Sequence, residues 1–155
     1  MVIVVDNLEH AKALIGQEIG VSDWVTIDQI RVDLFADATD DHQWIHTDPA
    51  RALTEMPGGK TIAHGYLLVS LMPELMNQLI KMPGLQRAIN YGLNKVRFKN
   101  PVPVGSRVRL RCKLLHAQKR AGALQAMLEN TLEVEGQSKP ACVAEVLALY
   151  FLSGV

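Results

Sequence analysis

Two stretches of period two, "RVRLRCKLL" (107–115) and "ALQAMLENTLEVE" (123–135), constrain the fold of this chain more than any other feature. In the first, Val108, Leu110, Cys112 and Leu114 alternate with Arg107, Arg109, Arg111 and Lys113; in the second, Leu124, Leu128, Leu132 and Val134 share one face. Successive side chains of a strand point to opposite faces, so each stretch reads as a strand with one apolar and one charged side. The intervening "RAG" (120–122) suits a three-residue hairpin loop with Gly122 in the left-handed region, pairing Lys119 with Ala123. That register sets Lys113 against Glu129, Arg109 against Glu133 and Arg107 against Glu135, while Leu110 meets Leu132 and Leu114 meets Leu128. A slip of one residue would turn every side chain over, so agreement on both faces fixes the pairing.

The remaining elements arrange themselves around this hairpin. In "NKVRFKN" (94–100) Val96 and Phe98 alternate with basic residues until Pro101 and Pro103 end the strand, and "ACVAEVLALYFL" (141–152) closes the sheet. Upstream the period is helical. "NLEHAKALI" (7–15) spaces Leu8, Ala11, Leu14 and Ile15 on one face, with Gly16 after it. "TIDQIRVDLFADAT" (26–39) begins with Thr26 as N-cap and Gln29 three residues on, a capping box, and predicts a helix over 27–38 that buries Ile27, Ile30, Leu34 and Ala38. Asp48 before Pro49 starts another short helix. "GYLLVSLMPELMNQLIK" (65–81) is apolar nearly all round, so it is wrapped by other structure; Pro73 is positioned to kink it. The architecture is α+β, helices first and then an antiparallel sheet curled around 65–81, in one domain spanning 1–155.

Charge and composition exclude several functions. Sixteen Lys and Arg balance sixteen Asp and Glu, so no global field draws the chain to nucleic acid or an anionic membrane. The proposed register gives acidic partners to part of the basic stripe, which reads as a solvated, ion-paired sheet face. "MVIVV" meets Asp6 too soon for a signal or spanning segment, which predicts a cytoplasmic protein. Cys112 and Cys142 lie within apolar alternations and read as buried thiols. In "EMPGGKT" Thr54 stands where a phosphate-binding loop needs its first glycine, which removes that reading.

The chemistry concentrates in "DDHQWIHTDPARA" (40–52), which nearly spells the His-Glu-x-x-His zinc motif, with Gln43 in place of the glutamate. An amide cannot take the proton from metal-bound water, the segment follows a helix end, and no third ligand is evident in the sequence. No metal and no cofactor are therefore expected. Asp41 and His46, five positions apart in irregular chain, can instead converge on one water, the carboxylate accepting a proton while the imidazole orients or donates. In "AHGYL" (63–67) the Gly65 amide opens the apolar helix and would face a developing oxyanion.

"FADATDDHQWIHTDPARA", "IAHGYLLVSLMPEL" and "NYGLNKVRFKNPVPVGSRVRL" together resemble the MaoC-like (R)-specific enoyl-CoA hydratases, and especially their nodulation protein N-like branch. The resemblance implies a hotdog fold, a long helix wrapped by a five-stranded antiparallel sheet, in a homodimer. It implies reversible syn addition of water to a trans-2-enoyl thioester of CoA or acyl carrier protein. Asp41 and His46 then match the catalytic pair and Gly65 the oxyanion donor, with Gln43, His64 and Asp40 in support and Tyr66, Leu67, Tyr91 and Asn94 as substrate contacts. Leu67, Leu71 and Leu75 would line an acyl tunnel. Asp40 departs from the family's glycine: aspartate tolerates positive φ, but a second carboxylate raises the pKa of the pair unless it points to solvent. A hotdog thioesterase and a non-catalytic acyl-thioester binder are the alternatives.

Overall fold

A computed structural model describes residues 2–153. Five helices precede four long strands: β1 (Ile3–Val4), α1 (Leu8–Ala13), β2 (Glu18–Val21), β3 (Val25–Thr26), α2 (Gln29–Thr39), α3 (Trp44–Thr47), α4 (Pro49–Glu55), α5 (Gly65–Asn77), β4 (Ile80–Lys81), β5 (Leu85–Phe98), β6 (Arg107–Arg120), β7 (Ala123–Val134) and β8 (Cys142–Leu152). The main sheet runs β2-β6-β7-β8-β5, with β3 also on β6, and β1 pairs with β4 in a separate parallel ribbon. Long strands and α5 share one core containing Leu68, Met72, Leu75, Leu110, Leu128 and Leu132.

The body of the hairpin has the expected register, with Lys113 opposite Glu129, Arg109 opposite Glu133 and Leu110 opposite Leu132. Its tip differs. Arg120 pairs with Ala123, leaving a two-residue turn of Ala121 (φ 50) and Gly122 (φ 75) in place of the three-residue loop. Two positive φ values give the turn whose twist matches the strands, and a bulge between Leu114 and His116 absorbs the extra residue. On the outer face Glu133 binds both Arg109 and Arg111 at 2.7 Å, and Arg107 reaches Glu135 at 3.0 Å. Burial raises the Glu133 pKa, but hydrogen bonds from Arg111 and Arg109 outweigh it and hold the carboxyl below its usual range. Cys112 and Cys142 are buried free thiols, pushed up by burial to about 12 and about 11.

Three helical expectations are corrected. The N-cap of α2 is Asp28, which accepts the Arg31 N–H, while Thr26 lies in β3. The buried side of α2 is Val32 and Ala36; Ile30 and Leu34 are 71% and 63% exposed. The Val32–Ala36 stripe lies about 200° around the helix from Ile30–Leu34 at 100° per residue, so packing against the rest of the fold selects the opposite side from the one the apolar spacing suggested. Finally, α5 continues through Pro73 but stops at Asn77, because Ile80 and Lys81 leave to pair with β1. The α4 cap matches expectation, Asp48 accepting from Arg51, and α1 is capped by Asn7, which accepts from His10.

β5 also departs from the reading. It begins at Leu85 rather than near 94, and Lys95 (φ 48) marks a register shift within it. Phe98 is 47% exposed instead of inward. An edge strand open on both sides has little reason to alternate, which is why period two is weak here.

Candidate active site

α2 ends at Asp40, whose φ of 57° and ψ of 19° are left-handed, as expected where the resembled family has glycine. This turn releases the chain from α2, so that Asp41 precedes α3 and the single turn of α3 buries His46 at its C-terminal end. Three contacts then fix His46. Its Nδ1–H donates to the Ile62 carbonyl at 2.6 Å, its own carbonyl accepts from Gln29 Nε2 at 2.7 Å, and its ring stacks on His64 with centroids 3.8 Å apart. With Nδ1 committed as donor, the neutral tautomer leaves Nε2 as the free base.

The segment supplying the Ile62 carbonyl is itself pinned. Thr61 accepts from Val104 N–H, Ile62 N–H donates to Ile45, and Ala63 N–H donates to Val102. His64 is 2% exposed, packs against Phe35 at 5.0 Å, and donates from Nε2 to the Asp41 carbonyl at 2.9 Å. That bond ties the loop carrying Asp41 to the start of α5. Side-chain ligand atoms of Asp41, His46 and His64 all lie within 4.8 Å of one another.

Two imidazoles and a carboxylate are a donor set for a divalent metal, and the structure supplies in His64 the third group that sequence reasoning lacked. The geometry does not suit an ion. Rings stacked at 3.8 Å with 27° between their planes send their in-plane lone pairs side by side, whereas metal–nitrogen bonds of about 2.0–2.1 Å require them to converge. His42 does not join: it is exposed and its Nε2 lies 3.7 Å from Asp37.

Burial is the largest influence on His46 and lowers its pKa from 6.5; the Ile62 carbonyl raises it, His64 lowers it again and Asp41 raises it. The net direction is downward, so His46 is a neutral base at neutral pH. His46 and Gly65 line one cleft of about 290 Å³ with Leu68, Phe98 and Asn100. His64 caps α5 without a side-chain hydrogen bond, so the positive end of the helix dipole opens there. A Cβ on Gly65 would lie 3.0 Å from the Phe98 ring.

Other expected site residues are dispersed. Gln43 is exposed and gives no side-chain cap; its carbonyl, not its amide, accepts the His46 N–H. Tyr66 is 73% exposed, edge-on to Phe98. Tyr91 lines a second cavity of about 420 Å³ between α5 and β5, while Asn94 lies exposed on β5 outside both spaces. None of Leu67, Leu71 and Leu75 lines these cavities; the α5 residues along them include Leu68, Val69, Met72 and Met76. Sequence reasoning missed Gln29. It holds His46 and Asp33 through Nε2 and Thr61 through Oε1, and its only signal was an amide on the side of α2 that turns inward.

A long helix against a curled antiparallel sheet, with an Asp/His pair at the helix N-terminus, defines the hotdog class. The structure superposes on an R-hydratase from Pseudomonas aeruginosa with a TM-score of 0.71 at 22% identity, covering 89% of this chain and 82% of that one. An (R)-hydratase from A. caviae involved in PHA biosynthesis gives 0.69 at 28% identity, covering 86% and 94%. Residues 10–136 match the MaoC-like domain model. A 3-hydroxyacyl-thioester dehydratase Z of Mycobacterium tuberculosis is 55% identical over 94% of this chain and 96% of its own. Nodulation protein N of Rhizobium leguminosarum is 45% identical over 92% and 90%. The chain belongs to the MaoC-like dehydratase family, and within it is similar to the nodulation protein N branch. Among the described residues no helix is long and apolar enough to cross a membrane.

Proposed function

We propose that the protein is an (R)-specific enoyl-thioester hydratase, or a 3-hydroxyacyl-thioester dehydratase in reverse, acting on acyl-CoA or acyl carrier protein. The observation carrying this reading is the convergence of Asp41, the free Nε2 of His46 and the open α5 N-terminus at Gly65. Hydration forms a C–O bond at the β-carbon and a C–H bond at the α-carbon, while negative charge gathers on the thioester oxygen. Asp41 and His46 take the proton from water and deliver one to the α-carbon. The Gly65 amide meets the oxyanion, where a fixed donor contributes more in the transition state than in the ground state. Catalysis requires no metal or organic cofactor in this scheme.

The working unit is a homodimer. β5 is a sheet edge, and Leu85, Ile89, Tyr91, Leu93 and Phe98 along it are 42–48% exposed, which suits a second copy. Loss of enoyl-thioester absorbance on adding the protein to trans-2-enoyl-CoAs, with chelator present, tests the reaction. Turnover to the (R)-3-hydroxy product that collapses in Asp41→Asn and His46→Gln supports it. Folded wild-type protein that binds acyl-CoA and leaves every chain length unhydrated overturns it in favour of a binding protein.

A further inference from the structure

The α5-facing side of β7 carries Leu124, Ala126, Leu128, Leu132 and Val134, and one polar residue, Asn130, which is 1% exposed. Its neighbours across the sheet are Cys112 on β6 and Ala144 on β8, both small. Asn130 Oδ1 has no hydrogen-bond partner among the described residues. Buried carbonyl oxygens are nearly always paired, and one left alone in a core is a reason to look for a ligand. Asn130 lines a cavity of about 70 Å³ with Met72, Met76, Leu128 and Tyr150.

That cavity is the last of three in succession along α5. The first holds His46, Gly65, Leu68 and Phe98; the second, Val69, Met72, Tyr91 and Leu93; the third shares Met72, Pro73, Asn90 and Val146 with the second. Leu68, Met72 and Met76 fall at i, i+4 and i+8, one row of the helix, while β5 descends in parallel from Phe98 to Ile89. From Gly65 to Met76 the helix rises about 16 Å, on the scale of an acyl tail whose thioester sits at Gly65.

We propose that Asn130 forms the far end of the acyl groove and selects thioesters whose tail carries a neutral hydrogen-bond donor, a hydroxyl being the simplest. This rests on the acyl-thioester reading above. A hydrocarbon end would leave Oδ1 unpaired, whereas a hydroxyl donates to it. No residue lining that cavity is charged, so an ionic tail would be desolvated without a counterion.

The test is calorimetric binding of saturated acyl-CoAs of stepped chain length, each with and without a terminal hydroxyl. At the length that reaches Asn130 the hydroxylated ligand binds about tenfold tighter, as expected for satisfying one buried acceptor. Asn130→Leu, nearly isosteric and with a higher melting midpoint, abolishes that ratio. Asn130→Ala does the same should the leucine variant fail to fold. Equal or weaker binding of the hydroxylated ligand at every length, or a preference that persists in the variants, overturns the proposal. Saturated ligands have no double bond to hydrate, so that failure is separate from failure of turnover on plain enoyl thioesters. Absence of binding by any acyl-CoA sinks both.

Discussion

Replacing Gln29 with Met keeps the volume and helix propensity of the position but deletes an amide that binds three partners. Gln29 Nε2 donates to the His46 carbonyl and to Asp33 at 2.7 Å each, and Oε1 accepts from Thr61 at 2.6 Å. Thr61 is 2% exposed, so its hydroxyl has no route to solvent, and the His46 carbonyl is partly shielded; Asp33 turns to water. Orphaning a buried polar group costs about 1–3 kcal/mol, so two such groups amount to about 2–6 kcal/mol. With a urea slope of about 2 kcal/mol/M, the unfolding midpoint falls by about 1–3 M. Turnover falls further than stability alone explains, because the carbonyl that anchors α3 is on the residue whose imidazole must face substrate. Adding Thr61→Val separates the contributions: the double variant regains about 1 kcal/mol against the sum of the singles, since the unpaired hydroxyl is gone. An unchanged midpoint in Gln29→Met, or strictly additive losses, would refute the argument that Gln29 holds the site together.

Because burial lowers the His46 pKa below 6.5 and the neutral ring is the base, kcat/KM falls on the acid side with an apparent pKa below 6.5. The same shift makes stability complete above about pH 6.5 and lost as pH drops toward the folded-state pKa, since the unfolded chain binds the proton first. pH-dependent urea melts of wild type and His46→Asn check the sign. Gly65→Ala brings a Cβ to 3.0 Å from Phe98, so kcat/KM falls at least about tenfold while the melting midpoint barely moves, alanine being the better helix former. Phe98→Leu added to it restores part of the rate; full activity in Gly65→Ala alone would contradict the close approach. Ala121→Asn relieves a left-handed alanine in the hairpin turn and raises stability by about 0.5–1 kcal/mol in thermal unfolding.

Legibility in the sequence followed how much each pattern depended on its own neighbours. The β6–β7 register, the α4 cap and the apolar α5 were readable, because alternation, Asp-Pro spacing and an all-round hydrophobic run are local. Asp41, His46 and Gly65 were readable as residue types in two separate segments, and the left-handed turn at Asp40 as a position that aspartate tolerates. The stack of His46 on His64, the Ile62 carbonyl that sets the tautomer and the Gln29 clamp were not, since their partners lie 16 to 32 residues away, beyond intervening helices. Gln29 even looked like a capping residue, the role its spacing from Thr26 suggested.

The sequence by itself determined the α+β class, the pairing of the long hairpin and the residues proposed as the acid–base pair, since side-chain period and turn chemistry act over a few residues. Tertiary structure decided which face of α2 goes inward, where α5 stops, which row of α5 lines the cavities and that Asn130 Oδ1 lies buried without a partner among the described residues. Each of those depends on what packs opposite, and a helix or strand carries no record of its neighbours beyond its own apolar stripe.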